Sequence, residues 1–140
     1  MALDFQVTFD ARDPHAANRF WSDALGYERE DNSALVDQLV QAGFLAADAV
    51  VQADGHSAFR DLAASRDPAG RRPRLLFQRV PEPKTIKNRV HLDLHAGAEE
   101  ADAEVARLEQ LGATVAWTSD DRGVHCITMR DPEGNEFCVA

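Results

Sequence analysis

The sequence predicts an α+β fold assembled from one strand–helix–strand unit used twice. Three observations predict it. Arg66-Asp67-Pro68-Ala69-Gly70, leading to Phe77-Gln78, returns as Arg130-Asp131-Pro132-Glu133-Gly134, leading to Phe137-Cys138. Upstream of each copy lies an extended segment, Phe5 to Phe9 and Val90 to Leu94. Each extended segment is followed by a helical pattern that stops at Leu-Gly, namely Leu25-Gly26 and Leu111-Gly112. An ordered set of matches marks a duplicated module. A sheet unit that cannot bury its own face pairs with its copy, and the cup between two copies is a natural ligand site.

In the first copy residues 3–10 alternate, with Phe5, Val7 and Phe9 on one face and Gln6, Thr8 and Asp10 on the other, the mark of a half-buried strand. Asp13-Pro14 reads as N-cap and first helical position, Ala17, Phe20, Trp21, Ala24 and Leu25 form an apolar stripe, and Gly26 supplies the stop. A strand over residues 27–30 precedes a second helix over 33–45, where Leu35, Val36, Leu39, Val40 and Phe44 recur at helical spacing. Strands over 50–52 and 58–64 flank a turn at Asp54-Gly55, and a strand over 74–80 closes the copy. Pro81-Glu82-Pro83-Lys84 is a stiff connector. The second copy reads as a strand over 89–95, a helix over 99–111, and strands over 114–118, 124–130 and Glu136–Val139. The expectation is a single domain, residues 1–140, with one module at about 1–82 and the other at about 87–140. From Gly26 to Asp67 is 41 positions and from Gly112 to Asp131 is 19, so the first copy carries 22 more. An insertion of that length, near residues 31–60, serves either as a lid or binding loop or as padding at an edge or dimer contact.

At 140 residues the chain has room for one core. Its 44% hydrophobic and 28% charged residues are ordinary for a globular protein. A net charge of −9 and a pI near 4.9 repel phosphate backbones and anionic lipid, so neither nucleic acid nor membrane is an expected partner. No apolar run reaches the length of a membrane span, and the first residues lack a basic-then-apolar signal pattern. The cytoplasm is the expected location. Cys126 and Cys138 do not make a secreted disulfide scaffold. If the hairpin turning at residues 131–134 sets Arg130 opposite Asn135, Cys138 pairs with Ile127 and Cys126 with Val139. The sulfurs then point to opposite faces, and no disulfide is expected.

Alternation sets Gln6 and Thr8, and likewise His91 and Asp93, on the face away from the helices, with Val90, Leu92 and Leu94 on the helix side. In the closing strands Phe77 and Phe137 face the helices, which leaves Leu76, Gln78, Glu136 and Cys138 opposite. Gln6 with Gln78, and His91 with Cys138, thus form two related pairs, matched to about one position. Each has a plainer reading: the glutamines satisfy one another, His91 and Asp93 make a strand-surface ion pair, and Cys138 is a small buried hydrophobe. Trp21 belongs to the core, whereas Trp117 is a candidate pocket wall. His15, His56, His95 and His125 show no metal spacing. Arg79, Lys84, Lys87 and Arg89 make a solvated charged edge or attract an anionic ligand.

These residues resemble the vicinal oxygen chelate superfamily, and within it the glyoxalase-like proteins of the glyoxalase/bleomycin resistance protein/dioxygenase type. The matching segments are Asp13-Pro14 through Phe20-Trp21, Leu25-Gly26-Tyr27, Phe77 through Lys84, Lys87 through Leu94, and Asp131-Pro132-Glu133-Gly134-Asn135-Glu136-Phe137-Cys138. They cover the chain apart from residues 31–60. The resemblance implies two βαβββ modules forming a cupped, barrel-like mixed sheet with the helices outside and a small-molecule site inside. Metal enzymes of this superfamily place one ligand on the first strand of each module and one on the last. Gln6 falls on the first of these positions, where glutamine is accepted in glyoxalase I-type enzymes, and His91 on the third, where histidine is usual. Gln78 and Cys138 stand where glutamates are expected. A hard divalent ion is held largely by carboxylate charge, and Gln78 offers only a neutral carbonyl oxygen. One histidine, one cysteine and two amides match no common site, although Glu136, two residues from Cys138 on the same face, is a substitute donor. The expectation is therefore no cofactor and no metal ligand set, with a divalent metal as the alternative.

The functional expectation is a small organic ligand held in the cup, with lyase or isomerase chemistry of the glyoxalase type that is metal-independent or atypical. His91 is the expected catalytic base, since imidazoles exchange protons near neutral pH. Gln6 and Gln78 orient a carbonyl or hydroxyl group, and Cys138, Glu136 and Trp117 complete the substrate contacts. The rival is a non-catalytic binding protein, similar to the drug-sequestering, bleomycin-resistance-like members; a third reading is an interaction protein without a ligand. A homodimer is expected, because cupped sheets of this resemblance often bury an open edge against a partner.

Overall fold

A computed structural model describes residues 1–140, which fold as two compact units, Met1–Glu82 and Pro83–Ala140. Three α-helices and ten strands make an α+β protein with mixed sheets, as the sequence predicts. Each sheet is open, its outermost strands unpaired with one another, so none closes into a barrel.

The first unit begins with β1 (Val7–Ala11) and α1 (Pro14–Leu25). Asp13 caps α1 by accepting the Ala16 N–H at 3.0 Å, Pro14 occupies the first turn where no N–H is needed, and Gly26 ends the helix at φ 69°. The stripe is buried as expected: Ala17, Phe20 and Trp21 are at most 3% exposed. Phe9 stacks on Phe77 at 5.1 Å between ring centroids and meets Trp21 at 5.4 Å, so an aromatic cluster holds α1 to its sheet. Phe5 does not join it. The strand begins at Val7, four residues later than the alternation over 3–10 implies, and Phe5 is 68% exposed.

β2 (Glu28–Arg29), β5 (Leu62–Arg66) and β6 (Leu75–Arg79) complete a sheet of order β1-β6-β5-β2, in which the β1–β6 pair is parallel. The long insertion folds as α2 (Ser33–Gln41) and a hairpin of β3 (Val50–Ala53) and β4 (His56–Phe59), a separate two-stranded sheet. Asp54 and Gly55 turn this hairpin with both φ angles positive. The single strand expected over 58–64 is thus two strands. The reason is a change of partner: the Arg60 N–H donates to the carbonyl of Ala49, the residue just before β3, whereas the Asp61 carbonyl accepts the Arg79 N–H of β6.

The second unit contains β7 (Asp93–Leu94), α3 (Ala101–Gln110), β8 (Thr114–Ser119), β9 (Cys126–Arg130) and β10 (Glu136–Val139), in sheet order β7-β10-β9-β8. Again the first and last strands pair in parallel. Ile127, Met129, Phe137 and Val139 are buried, and Leu108 of α3 is fully enclosed. The strand expected over 89–95 shrinks to two residues, and Val90, expected on the helix side, is 83% exposed.

The repeated Arg-Asp-Pro-x-Gly motif has a local cause. Asp131 Oδ1 accepts the Glu133 and Asn135 N–H groups, each at 2.9 Å, and Oδ2 accepts the Asn135 side chain at 3.1 Å. Asp67 does the same for the Ala69, Arg71 and Arg72 N–H groups. In both turns the carboxylate replaces strand ladder bonds with turn bonds. Gathering Asn135 into the turn moves the register: Arg130 lies opposite Glu136, not Asn135.

Candidate functional site

That one-residue difference decides which side chains share a face in the second unit. Trp117 of β8 lies opposite Thr128 of β9, Thr128 opposite Cys138 of β10, and Cys138 level with Asp93 of β7. Directly paired residues point to the same side of a sheet. Trp117, Thr128, Cys138 and Asp93 therefore make one row across all four strands. It lies on the face opposite Ile127, Met129, Phe137 and Val139. Trp117 reaches this row because β8 carries an irregularity between Val115 and Trp117.

At the β7 end of the row His91 precedes Asp93 by two residues, and its Nδ1 lies 2.9 Å from Asp93 Oδ1. Donor atoms of His91, Asp93 and Cys138 all lie within 4.8 Å of one another. Thr128, 6% exposed, brings Oγ1 to 3.5 Å from Cys138 Sγ. At the other end Arg130 stacks on the Trp117 ring, 5.8 Å from its centroid. The Cys126 thiol is pushed up to about 11, first by burial and then by the neighbouring Cys138 thiol and Asp93 charge. It is therefore a neutral thiol at physiological pH.

The cysteines correct an expectation. Cys126 and Thr128 are two residues apart on β9 and so share a face, and Cys138 is opposite Thr128. The two sulfurs lie on the same face, not on opposite ones. Both are free thiols.

Glu136, expected among the substrate contacts, is engaged elsewhere. Lys84 Nζ lies 3.0 Å from Oε1 and 2.9 Å from Oε2, and the Asn88 N–H donates to Oε2 at 2.9 Å. Burial is the largest single influence on this carboxyl and acts upward. The Asn88 amide and Lys84 ammonium together outweigh it and hold the group at about 2. Glu136 thus anchors the connecting segment.

Gln6 and Gln78 belong to the first unit and do not satisfy one another. Gln6 Oε1 accepts from Arg74 Nη1 at 3.0 Å, and Gln78 Nε2 donates to Asp10 Oδ1 at 2.7 Å. Nor is their register that of His91 and Cys138. Gln78 is level with Asp10, four residues beyond Gln6, whereas Cys138 is level with Asp93, two residues beyond His91. Gln6 instead lines an open cleft with Arg66, Arg71, Arg72 and Arg74. The structure brings His91 and Cys138 together, sets Trp117 in the same row, and adds Asp93, Thr128 and Cys126. Alternation along β9 carries the signal for Thr128 and Cys126; it became readable only with the correct turn length.

As metal donors, His91, Asp93 and Cys138 offer one imidazole nitrogen, one carboxylate oxygen and one sulfur. That set fits a zinc-type ion with an open fourth position and is too poor in oxygen for a hard ion.

A family model described as a glyoxalase-like domain matches residues 6–140. Several solved structures are similar. A glyoxalase/bleomycin resistance protein/dioxygenase family enzyme from Burkholderia phytofirmans PsJN shares 15% identity with a TM-score of 0.63, over 98% of this chain and 97% of that one. The fosfomycin resistance protein FosX from Listeria monocytogenes, complexed with Mn(II) and 1S,2S-dihydroxypropylphosphonic acid, shares 12% identity with a TM-score of 0.62 over 99% and 89%. The bleomycin-binding protein from Streptomyces verticillus, complexed with copper(II)-bleomycin, shares 17% identity with a TM-score of 0.55 over 100% and 96%. At these identities the likeness is one of fold. A comparison with curated proteins found no match.

Proposed function

The chain belongs to the glyoxalase-like domain family, and on that premise we propose that the polar face of its second unit binds a small organic molecule and moves a proton on it. The carrying observation is the His91–Asp93 hydrogen bond of 2.9 Å beside the Cys138 thiol. With the proton on Nδ1, Asp93 fixes the ring and leaves the Nε2 lone pair as the base. Thr128 and Cys138 supply hydrogen-bonding groups for a carbonyl or hydroxyl oxygen, and the Trp117 ring forms the wall at the far end of the row. Proton removal beside a carbonyl, followed by return or by departure of a leaving group, is isomerase or lyase chemistry.

A second reading is favoured by the same cluster. His91, Asp93 and Cys138 would hold a zinc-type ion, which when bound would polarise a ligand oxygen. The metal-free reading leads because His91 and Asp93 already satisfy each other. A third, sequestration without turnover, is supported by the fold likeness to a bleomycin-binding protein and by the 41% exposure of Trp117.

A thermal-shift screen of small carbonyl and hydroxy compounds, repeated on His91→Ala and Trp117→Ala, tests the site. Hits lost in both variants support it; hits that survive both place the ligand elsewhere. Turnover of a hit separates enzyme from sequestering protein. We further propose a homodimer in a reducing, cytoplasmic setting, supported by open sheet edges, by exposed Ile86 and Val90, and by two free thiols. Light scattering should give twice the 15.4 kDa chain mass, and a value of 15.4 kDa would rule the dimer out.

A further inference from the structure

Cys126 and Cys138 are the chain's two cysteines, and both are half-buried free thiols. The observed register sets them on one face of adjacent strands as a diagonal pair. The Cys138 sulfur leans toward β9, since it lies 3.5 Å from Thr128 Oγ1. Asp93 is their common neighbour: a carboxylate oxygen lies within 4.8 Å of Cys138 Sγ, and its charge also acts on the Cys126 thiol. Diagonal residues in an antiparallel ladder sit about 7–8 Å apart, with their Cβ atoms closer. A disulfide needs Cα atoms about 4.4–6.8 Å apart. Closing that difference requires a backbone movement at Cys126. This residue starts its strand and follows a short irregular turn, Asp121–Gly123, in which Arg122 has a φ of 57°.

We propose that oxidation joins Cys126 to Cys138 in a reversible intramolecular disulfide, withdrawing the Cys138 sulfur from the His91–Asp93 cluster. With a hydroperoxide as oxidant, the Cys138 thiolate attacks the terminal peroxide oxygen. The O–O bond breaks, and the departing alkoxide or hydroxide takes a proton. Cys138 is then a sulfenic acid. The Cys126 sulfur attacks the Cys138 sulfur, the S–S bond forms, the S–O bond breaks, and hydroxide leaves as water with the Cys126 proton. Two thiols are oxidised and one peroxide is reduced. A bond formed across a diagonal is strained and therefore readily reduced. Formation of this bond depends on no property of the ligand. Its effect on binding rests on the site reading above, so the two are tested apart.

The test is a thiol count on the full-length protein after hydrogen peroxide treatment, read under denaturing conditions with a maleimide reagent. The expected result is a fall from two free thiols to none, monomer mobility on a non-reducing gel, and recovery of both thiols with dithiothreitol. Cys126→Ser should instead leave a dimedone-reactive sulfenic acid at Cys138. Persistence of both thiols, a disulfide formed only between chains, or oxidation that dithiothreitol does not reverse would each overturn the proposal. The wild-type count stands whether or not the variant folds.

Discussion

Lys84 and Glu136 form a largely enclosed ion pair, Nζ to Oε2 2.9 Å, with side chains 19% and 7% exposed. It fastens the segment between the two copies to β10, the strand that also carries Cys138. Glu136 titrates at about 2 in the folded protein against an ordinary value of 4.5, so the unfolded chain binds its proton first. The stabilisation is complete above about 4.5 and is lost as pH falls toward 2. Denaturation midpoints across that window should drop in the wild type and drop less steeply in Glu136→Gln. Parallel slopes in the two proteins would remove Glu136 as the cause.

Truncating the partner tests the same pair from the other side. Lys84→Ala leaves Glu136 buried without its cation, a loss of about 3 kcal/mol, near the low end for a broken buried pair because Lys84 keeps some water. Urea denaturation measures it. Ligand binding should survive wherever the variant is folded, since Lys84 points at Glu136 and not at the row.

For the site, His91→Ala should leave the fold intact, because the side chain is exposed, and lower any turnover by about 10²–10⁴-fold. Asp93→Asn should cost roughly ten- to a hundredfold by loosening the imidazole. A pH–rate profile distinguishes them: Asp93→Asn should keep the low-pH limb, along which a general base is lost by protonation, whereas His91→Ala should erase it. Unchanged rates in both variants would end the general-base reading.

Metal content separates the two leading readings. Untagged protein prepared without chelator should carry far less than one zinc, nickel, manganese or iron per chain, and should be inactive on the glutathione–methylglyoxal adduct. One tightly held equivalent would install the zinc-type reading in place of the metal-free one. Its loss in both His91→Ala and Cys138→Ala would locate the ion.

How much of this was legible in the chain follows from what each residue type dictates locally. Asp13-Pro14 and Gly26 announce both ends of α1, and Glu136–Val139 is a strand whichever turn precedes it. The repeated Asp-Pro-x-Gly motif announces two modules. What sequence periodicity cannot supply is a turn's residue count, because Asp131 recruits Asn135 through its side chain and not through strand pairing. One residue there decides whether Cys126 faces Cys138. The commitments of Glu136 to Lys84 and of Gln6 to Arg74 join residues 52 and 68 positions apart, and no local pattern announces them.

Both sheets pair the first strand of their module with the last, β1 with β6 and β7 with β10. An emerging chain cannot complete either sheet from neighbours alone. β1 waits, its edge unsatisfied, until α1, the insertion and β5 have all been made, and loop closure then has to be met in one step. Each module should consequently assemble late and cooperatively, the earlier one while the later is still being synthesised. His91, Asp93 and Cys138 meet across the second of these closures. The Cys138 sulfur therefore joins His91 and Asp93 only when β10 slots between β7 and β9.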